Sequence, residues 1–286
     1  MLSNKVNEII TRDAISVGVS STISEAMNLM AEKNIGRVLV VEDGIPIGIF
    51  TEKDVLKRVM NKKLDPKKTG IKKVMTSPVR SVGDNTHIVE ALGGMYKAKF
   101  RHLLVKEPKG KIVGMISMRR ILKLAVELGQ GLKETQSVGS IMSSDPVTVD
   151  AGDSVHDVIA LMVKTDTGCV VVLSQGKPAG IFTERDVLKR VATQQIDTRN
   201  TSVREVMTSS LVTLPHTALI GEVLEKMYQR SFRHMVIMGP RQELAGLVSM
   251  RDVLKYAKAL DVDERVRNTW KEIEEFWESE EQYTPG

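Results

Sequence analysis

A chain of 286 residues, 42% hydrophobic and 27% charged, has the composition of an ordinary globular protein with about two domains, which excludes disorder as its default state. Its one cysteine, Cys169, excludes an internal disulfide and a cysteine-built zinc site and points to a reducing, cytoplasmic setting. The net charge of +5 is uneven: residues 1–132 carry 23 basic and 13 acidic side chains, residues 133–257 carry 14 of each, and residues 258–286 carry 4 basic against 9 acidic. No apolar run of about 18 residues occurs and the first residues lead into no leader-like stretch, so neither a membrane span nor a membrane partner is expected.

Along the chain, Thr22-Ile23-Ser24-Glu25 has the form of a capping box, and Ile23, Ala26, Met27 and Met30 follow at helical spacing. Arg37 to Val41 reads as a short strand, Glu42-Asp43-Gly44 as a hairpin turn, and Ile45 to Phe50 as the returning strand. Thr51 then caps a helix that runs through Val59. With a strand before Thr22, the unit is strand–helix–strand–strand–helix. The connection after it holds Lys62, Lys63, Lys67, Lys68, Lys72 and Lys73. Aromatics make up only 4% of the chain and no nucleic-acid-binding motif is present, so this segment reads as solvated surface and nucleic acid is not an expected partner.

The same unit returns. Gly48 to Val59 recurs as Gly180 to Val191 with eleven of twelve residues identical, Lys53 becoming Arg185. The offset of 132 also carries Val74-Met75-Thr76-Ser77 onto Val206-Met207-Thr208-Ser209 and Phe100-Arg101-His102 onto Phe232-Arg233-His234. It carries Ser117-Met118-Arg119 onto Ser249-Met250-Arg251 as well. Each half is a fainter duplication, Gly48-Ile49-Phe50-Thr51 matching Gly114-Met115-Ile116-Ser117 at an offset of 66. Four units follow, near residues 6–60, 72–126, 138–192 and 204–257. A unit of this size buries too little surface to stand alone, so pairs are expected. The fold class is mixed α and β (α+β, or α/β in the broader sense), built from four βαββα units.

Gly-x-x-Thr/Ser-x-x-Asp ahead of a helix, together with Met-Thr-Ser-Pro-Val at the start of a unit, resembles the cystathionine-β-synthase (CBS) domain. The resemblance spans nearly all of residues 6–257. It implies paired units, called Bateman modules, in a pseudo-symmetric disc. Four units with a basic pair after Phe100 and Phe232 also resemble the γ subunit of AMP-activated protein kinase. That resemblance implies a non-catalytic regulator that binds AMP, ADP or ATP as ligand, needs no cofactor, and acts on a protein partner the sequence does not name. S-adenosylmethionine is the ligand of related modules, and an assembly scaffold with empty clefts is the alternative.

The resemblance also implies site residues. Thr51 and Asp54, Thr183 and Asp186, and Ser249 and Asp252 would hold ribose and phosphate. A helix N-terminus favours anions, and a carboxylate has two acceptor oxygens for ribose hydroxyls. Thr-x-x-Asp is equally a plain capping box. Ser117 starts a tetrad with Arg120 where the acid is expected, so that site is expected to be empty or to lend Arg120 to a neighbour's phosphate. Arg101, His102, Arg233 and His234 would hold phosphate, with Arg37 as a third such position whose second-half counterpart is Cys169. Lys53, Arg119, Arg185 and Arg251 are further basic companions. Ile15, Val79, Val147 and Leu211 are expected to begin corresponding strands and would flank adenine there, although core packing explains them equally well. His87, His156 and His216 do not recur between the halves, and no catalytic motif is present, so no enzyme is expected.

Residues 258–286 stand outside the repeats. Val266, Trp270, Ile273 and Trp277 share one helical face opposite Glu272, Glu274, Glu275 and Glu278. The tail reads as a helix packed on the protein's own body; it could also dock a partner or join two copies as a homodimer.

Overall fold

The computed structural model describes residues 5–12, 14–97, 100–121 and 136–253. Its strands form four three-stranded sheets. Unit 1 holds β1 (Ser16–Gly18), β2 (Arg37–Glu42) and β3 (Ile45–Thr51), and unit 2 holds β4 (Ser81–Gly83), β5 (His102–Lys106) and β6 (Ile112–Ser117). Unit 3 holds β7 (Thr148–Asp150), β8 (Cys169–Ser174) and β9 (Lys177–Thr183), and unit 4 holds β10 (Thr213–Pro215), β11 (His234–Met238) and β12 (Leu244–Ser249). In every sheet the first strand runs parallel to the second and the third returns antiparallel. A helix bridges each parallel pair, over Ile23–Glu32, Ile88–Lys97, Val155–Lys164 and Ile220–Gln229.

Local sequence accounts for these elements. Thr22 and Glu25 close a reciprocal box, with Glu25 N donating to Thr22 Oγ1 at 3.2 Å and Thr22 N donating to Glu25 Oε2 at 2.7 Å. The β2–β3 hairpin turns through Asp43 and Gly44, both at positive φ (49° and 77°), as a two-residue turn that follows the strand twist requires. The helix after Thr51 departs from expectation. It makes one α turn, Glu52–Asp54, and then widens into a π-helical stretch over Val55–Met60, and unit 3 repeats this over Glu184–Asp186 and Val187–Ala192. The two wide segments face one another, and the looser turn lets the neighbours Val55 and Leu56, and Val187 and Leu188, all stay within 1% of full burial.

The core joins units across the two halves. Met27, Met30, Phe50 and Leu56 of unit 1 share one apolar cluster with Val155, Met162, Phe182 and Leu188 of unit 3. Met95, Leu103 and Ile116 of unit 2 share another with Ile220, Met227 and Val248 of unit 4. Consecutive units are joined differently, by exchanging their entry segments. Thr76, entering unit 2, pairs with Ile49 of β3, and Thr11, entering unit 1, pairs with Met115 of β6. Thr208 with Ile181 and Ser143 with Leu247 repeat the exchange in the second half. The approach is close: a Cβ on Gly114 would lie 2.7 Å from Thr11 O, and one on Gly246 would lie 2.5 Å from Ser143 O. Arg58 fastens the first exchange, its Nη1 donating to Val74 O at 2.9 Å and Met75 O at 2.6 Å, and Arg190 does the same for Val206 and Met207. The predicted tail helix with Trp270 and Trp277 lies outside the described residues.

Candidate functional site

Strand register brings together the two groups of residues that stand apart in the sequence. The first residue of each middle strand lies opposite the last residue of the third: Arg37 opposite Thr51, His102 opposite Ser117, Cys169 opposite Thr183, and His234 opposite Ser249. Each basic position is thus the cross-strand partner of a helix-capping hydroxyl, and Cys169 takes that place in unit 3. The Cys169 thiol is 1% exposed, and burial pushes its pKa well above the ordinary range, so it is an inert core residue.

The capping boxes are formed. Asp54 Oδ2 accepts from Thr51 N at 2.9 Å and from Thr51 Oγ1 at 2.7 Å, while Oδ1 accepts from Thr76 Oγ1 at 3.3 Å and lies 3.4 Å from Arg58 Nη1. Asp186 repeats this with Thr183, Thr208 and Arg190. Burial pushes the Asp54 carboxyl above its ordinary value, with Thr51 and Arg58 pulling the other way. Asp252 accepts from Ser249 N at 2.8 Å and Ser249 Oγ at 2.7 Å. Ser117 Oγ accepts from Arg120 N at 3.2 Å, and the Arg120 side chain is exposed.

Two buried carboxylates that sequence reasoning missed organise the basic residues. Glu52, 1% exposed, accepts from Arg185 Nε at 3.0 Å and from Arg233 Nη2. Glu184, 4% exposed, accepts from Arg101 Nη2 at 3.0 Å. The Glu52–Arg185 bond joins the core-sharing units 1 and 3, while the bonds of Arg233 to Glu52 and Arg101 to Glu184 run diagonally, unit 4 to unit 1 and unit 2 to unit 3. Burial alone would raise the Glu52 carboxyl, but Arg233 and Arg185 outweigh it and hold Glu52 below its ordinary value. Space for each carboxylate comes from a glycine: a Cβ on Gly36 would lie 3.0 Å from Glu52 Oε2, and one on Gly168 would lie 3.2 Å from Glu184 Oε1. In the even units the equivalent positions hold Arg101 and Arg233, with Met118 and Met250 in place of the glutamates.

Around this network lie Arg37, Arg119 and the two histidines. Burial and the nearby Arg233 lower Arg37 to about 10, with Glu52 partly opposing, and burial with Arg185 and Arg233 lowers Arg119. Burial pushes His102 well down, helped by Arg37 and Arg101, and pushes His234 down to about 3, helped by Arg233 and Arg101. Both imidazoles are therefore neutral near pH 7 and offer one N–H each. Lys53 does not join them. It is held by the unit 3 carboxylate Asp166 at 2.9 Å with its side chain 39% exposed, because lysine lacks the fork with which Arg185 reaches inward. Arg251 is exposed but close enough to His234 to help lower it.

Units 3 and 4 line a partly open cleft with a cavity volume of about 140 Å³. Thr183, Arg185 and Asp186 line it from unit 3, and Leu211, Arg233 and His234 from unit 4, six of the residues singled out in the sequence. Ile181, Val212, Phe232 and Val236 add apolar wall, and Thr208, Ser210 and Ser231 add hydroxyls. The register corrects one expectation. Ser16 and Ser81 pair at the same point of their middle strands, so the equivalent of Ile15 is Arg80, not Val79, and the equivalent of Val147 is Val212, not Leu211. Val79 and Leu211 correspond instead to Ala14 and Pro146, because the repeat offset is 65 here and 66 only after the hairpin. Arg80 stacks over the Phe100 ring, 5.7 Å from its centroid. Among the described residues there is no cluster of three or more metal-ligating side chains, and no helix is long and apolar enough to cross a membrane.

Four tandem units with exchanged entry segments and a charged centre define a class of protein: the chain belongs to the CBS domain family, whose match covers residues 6–61, 71–127, 138–193 and 203–259. Among curated proteins it is similar to the CBS domain-containing protein CBSCBSPB1 of Arabidopsis thaliana, 28% identical over 96% of this chain and 58% of that protein. The chain thus spans a little over half the length of the curated relatives it first matches. Among solved structures it is similar to protein MJ1225 of Methanocaldococcus jannaschii, offered as an archaeal homologue of γ-AMPK. The TM-score is 0.74 at 19% identity, covering 88% of this chain and 99% of the other. An uncharacterized conserved protein of Pyrococcus horikoshii shares the fold with a TM-score of 0.60 at 20% identity, covering 88% of this chain and 99% of the other.

Proposed function

We propose that this protein is a non-catalytic regulator that binds adenine nucleotides between paired CBS units, the cleft of units 3 and 4 being the principal site. The observation that carries this reading is the composition of that cleft. A capped helix start with a hydroxyl and a carboxylate, Thr183 and Asp186, faces two guanidinium groups and a neutral imidazole, and an apolar wall of Ile181, Leu211 and Val212 closes it. Ribose hydroxyls would donate to Asp186 Oδ1 in place of Thr208 Oγ1, which bonds it here, phosphate would lie against Arg185, Arg233 and His234, and the base would lie on the apolar wall. Thr51 and Asp54 with Arg37, and Ser249 and Asp252 with Arg251, would serve the remaining positions. Ligand acts by favouring one arrangement of the two modules, which a protein partner then reads.

Thermal unfolding tests the reading. At about 1 mM, a ligand with a Kd of about 10 μM adds about 2.7 kcal/mol per site, a rise of roughly 5–10 °C for a domain of this size. AMP or ATP should raise the midpoint and GTP should not. A rise with S-adenosylmethionine alone would change the ligand, and no rise with any adenosyl compound would leave an assembly scaffold with empty clefts.

A further inference from the structure

Arg185 and Arg233 both line the cleft between units 3 and 4, and both are bonded by a carboxylate that belongs to neither unit. We infer that Glu52 of unit 1 is an internal competitor for the phosphate position of that cleft, so that an anionic ligand enters only by displacing it from Arg185 and Arg233. The inference rests on the nucleotide reading and adds to it a basis for choosing among ligands.

Three observations support it. The helix start does not require Glu52, because Thr51 and Asp54 complete the cap themselves. Units 2 and 4 carry Met118 and Met250 at the equivalent position, so the unit's packing does not require an acid there either. The carboxylate is nonetheless buried to 1%, in a place kept open by Gly36 and directed at two guanidinium groups whose other accessible side is the cleft. A carboxylate on a guanidinium fork makes the bonds a phosphate oxygen would make. A nucleoside without phosphate does not contend for those bonds. A monophosphate brings more charge and one more terminal oxygen than a carboxylate, and it can prevail. Displacement leaves Glu52 buried and without its cations, so the cleft excludes weak anions and admits ligands that hold both arginines.

Calorimetric titration of AMP and of adenosine into the full chain and into Glu52→Gln tests this. The amide keeps the shape of Glu52 but removes the competing charge. AMP should bind the variant about tenfold more tightly, the factor given by about 1.4 kcal/mol, while adenosine binds both proteins within about twofold. If Glu52→Gln unfolds before titration, Glu52→Asp draws the carboxylate back by one methylene and should tighten AMP by a smaller factor in the same direction. AMP binding to the parent chain with equal or weaker binding to the variant overturns the competitor and leaves the nucleotide reading standing. Failure of AMP to bind either protein overturns both.

Discussion

The two modules are close copies that hold their charges differently. In the second, Arg185 reaches inward to Glu52, and Arg233 joins it on the same carboxylate. In the first, the corresponding Lys53 turns to the surface carboxylate Asp166, and Glu184 keeps one partner, Arg101. One substitution within the twelve-residue repeat therefore separates a carboxylate clamped by two arginines from one held by a single arginine. A near-identical sequence can preserve the fold while redistributing the electrostatics at its centre.

The largest effect should come from unequal removal of these carboxylates. Glu52→Ala leaves Arg233 and Arg185 facing each other and should cost about 3 kcal/mol of stability, measured by chemical denaturation. Glu184→Ala frees one arginine and should cost about 1–2 kcal/mol. Equal losses would remove the asymmetry. Gly246→Ala places a Cβ 2.5 Å from Ser143 O, where only backbone can yield, and should cost about 2 kcal/mol. Gly48→Ala, at the related position in unit 1, meets the flexible Met75 side chain first and should cost less in the same assay.

A third test uses pH. His234 has a folded-state pKa of about 3, below its ordinary 6.5. Its contribution to stability is therefore complete above about pH 6.5 and is lost as pH falls from there toward 3. The denaturation midpoint should fall between pH 7 and 5, before most carboxylates titrate, and His234→Gln should flatten that fall, whereas His87→Gln, at an exposed position, should not. The smallest effect should be at the surface. Asp166, lowered to about 2 by its bonds to Lys57 and Lys53, is 54% exposed, so Asp166→Asn should change stability by about 0.5 kcal/mol or less, with the difference vanishing in high salt.

Much of this architecture is legible in the sequence because duplication repeats every signal at a fixed spacing. Thr51 with Asp54 and Thr183 with Asp186 announce helix starts wherever they fall, whereas the strand register that sets Arg37, His102 and His234 opposite capping hydroxyls is not readable from them. Glu52 and Glu184 stay hidden for a physical reason: an acid in the first turn of a helix is what the helix dipole favours anyway. Their partners lie 133, 181 and 83 residues away. A signal does exist, in the alternation of Gly36 and Gly168 with Arg101 and Arg233 alongside the alternation of glutamate with Met118 and Met250. The π-helical turns leave no such mark, since their apolar spacing over Val55, Leu56 and Val59 suits an α-helix equally well.

In the proposed reading, the cleft of units 3 and 4 holds an adenine nucleotide on Asp186 and the arginines beside it. Calorimetric titration of AMP into the full chain and into Asp186→Ala tests it most directly, with denaturation of both proteins as the control for folding. Expected are binding by the parent chain, loss of one site in the variant, and a stability loss of about 1–3 kcal/mol from the lost carboxylate bonds to Thr183 and Thr208. An unchanged number of sites in a folded Asp186→Ala protein would contradict it.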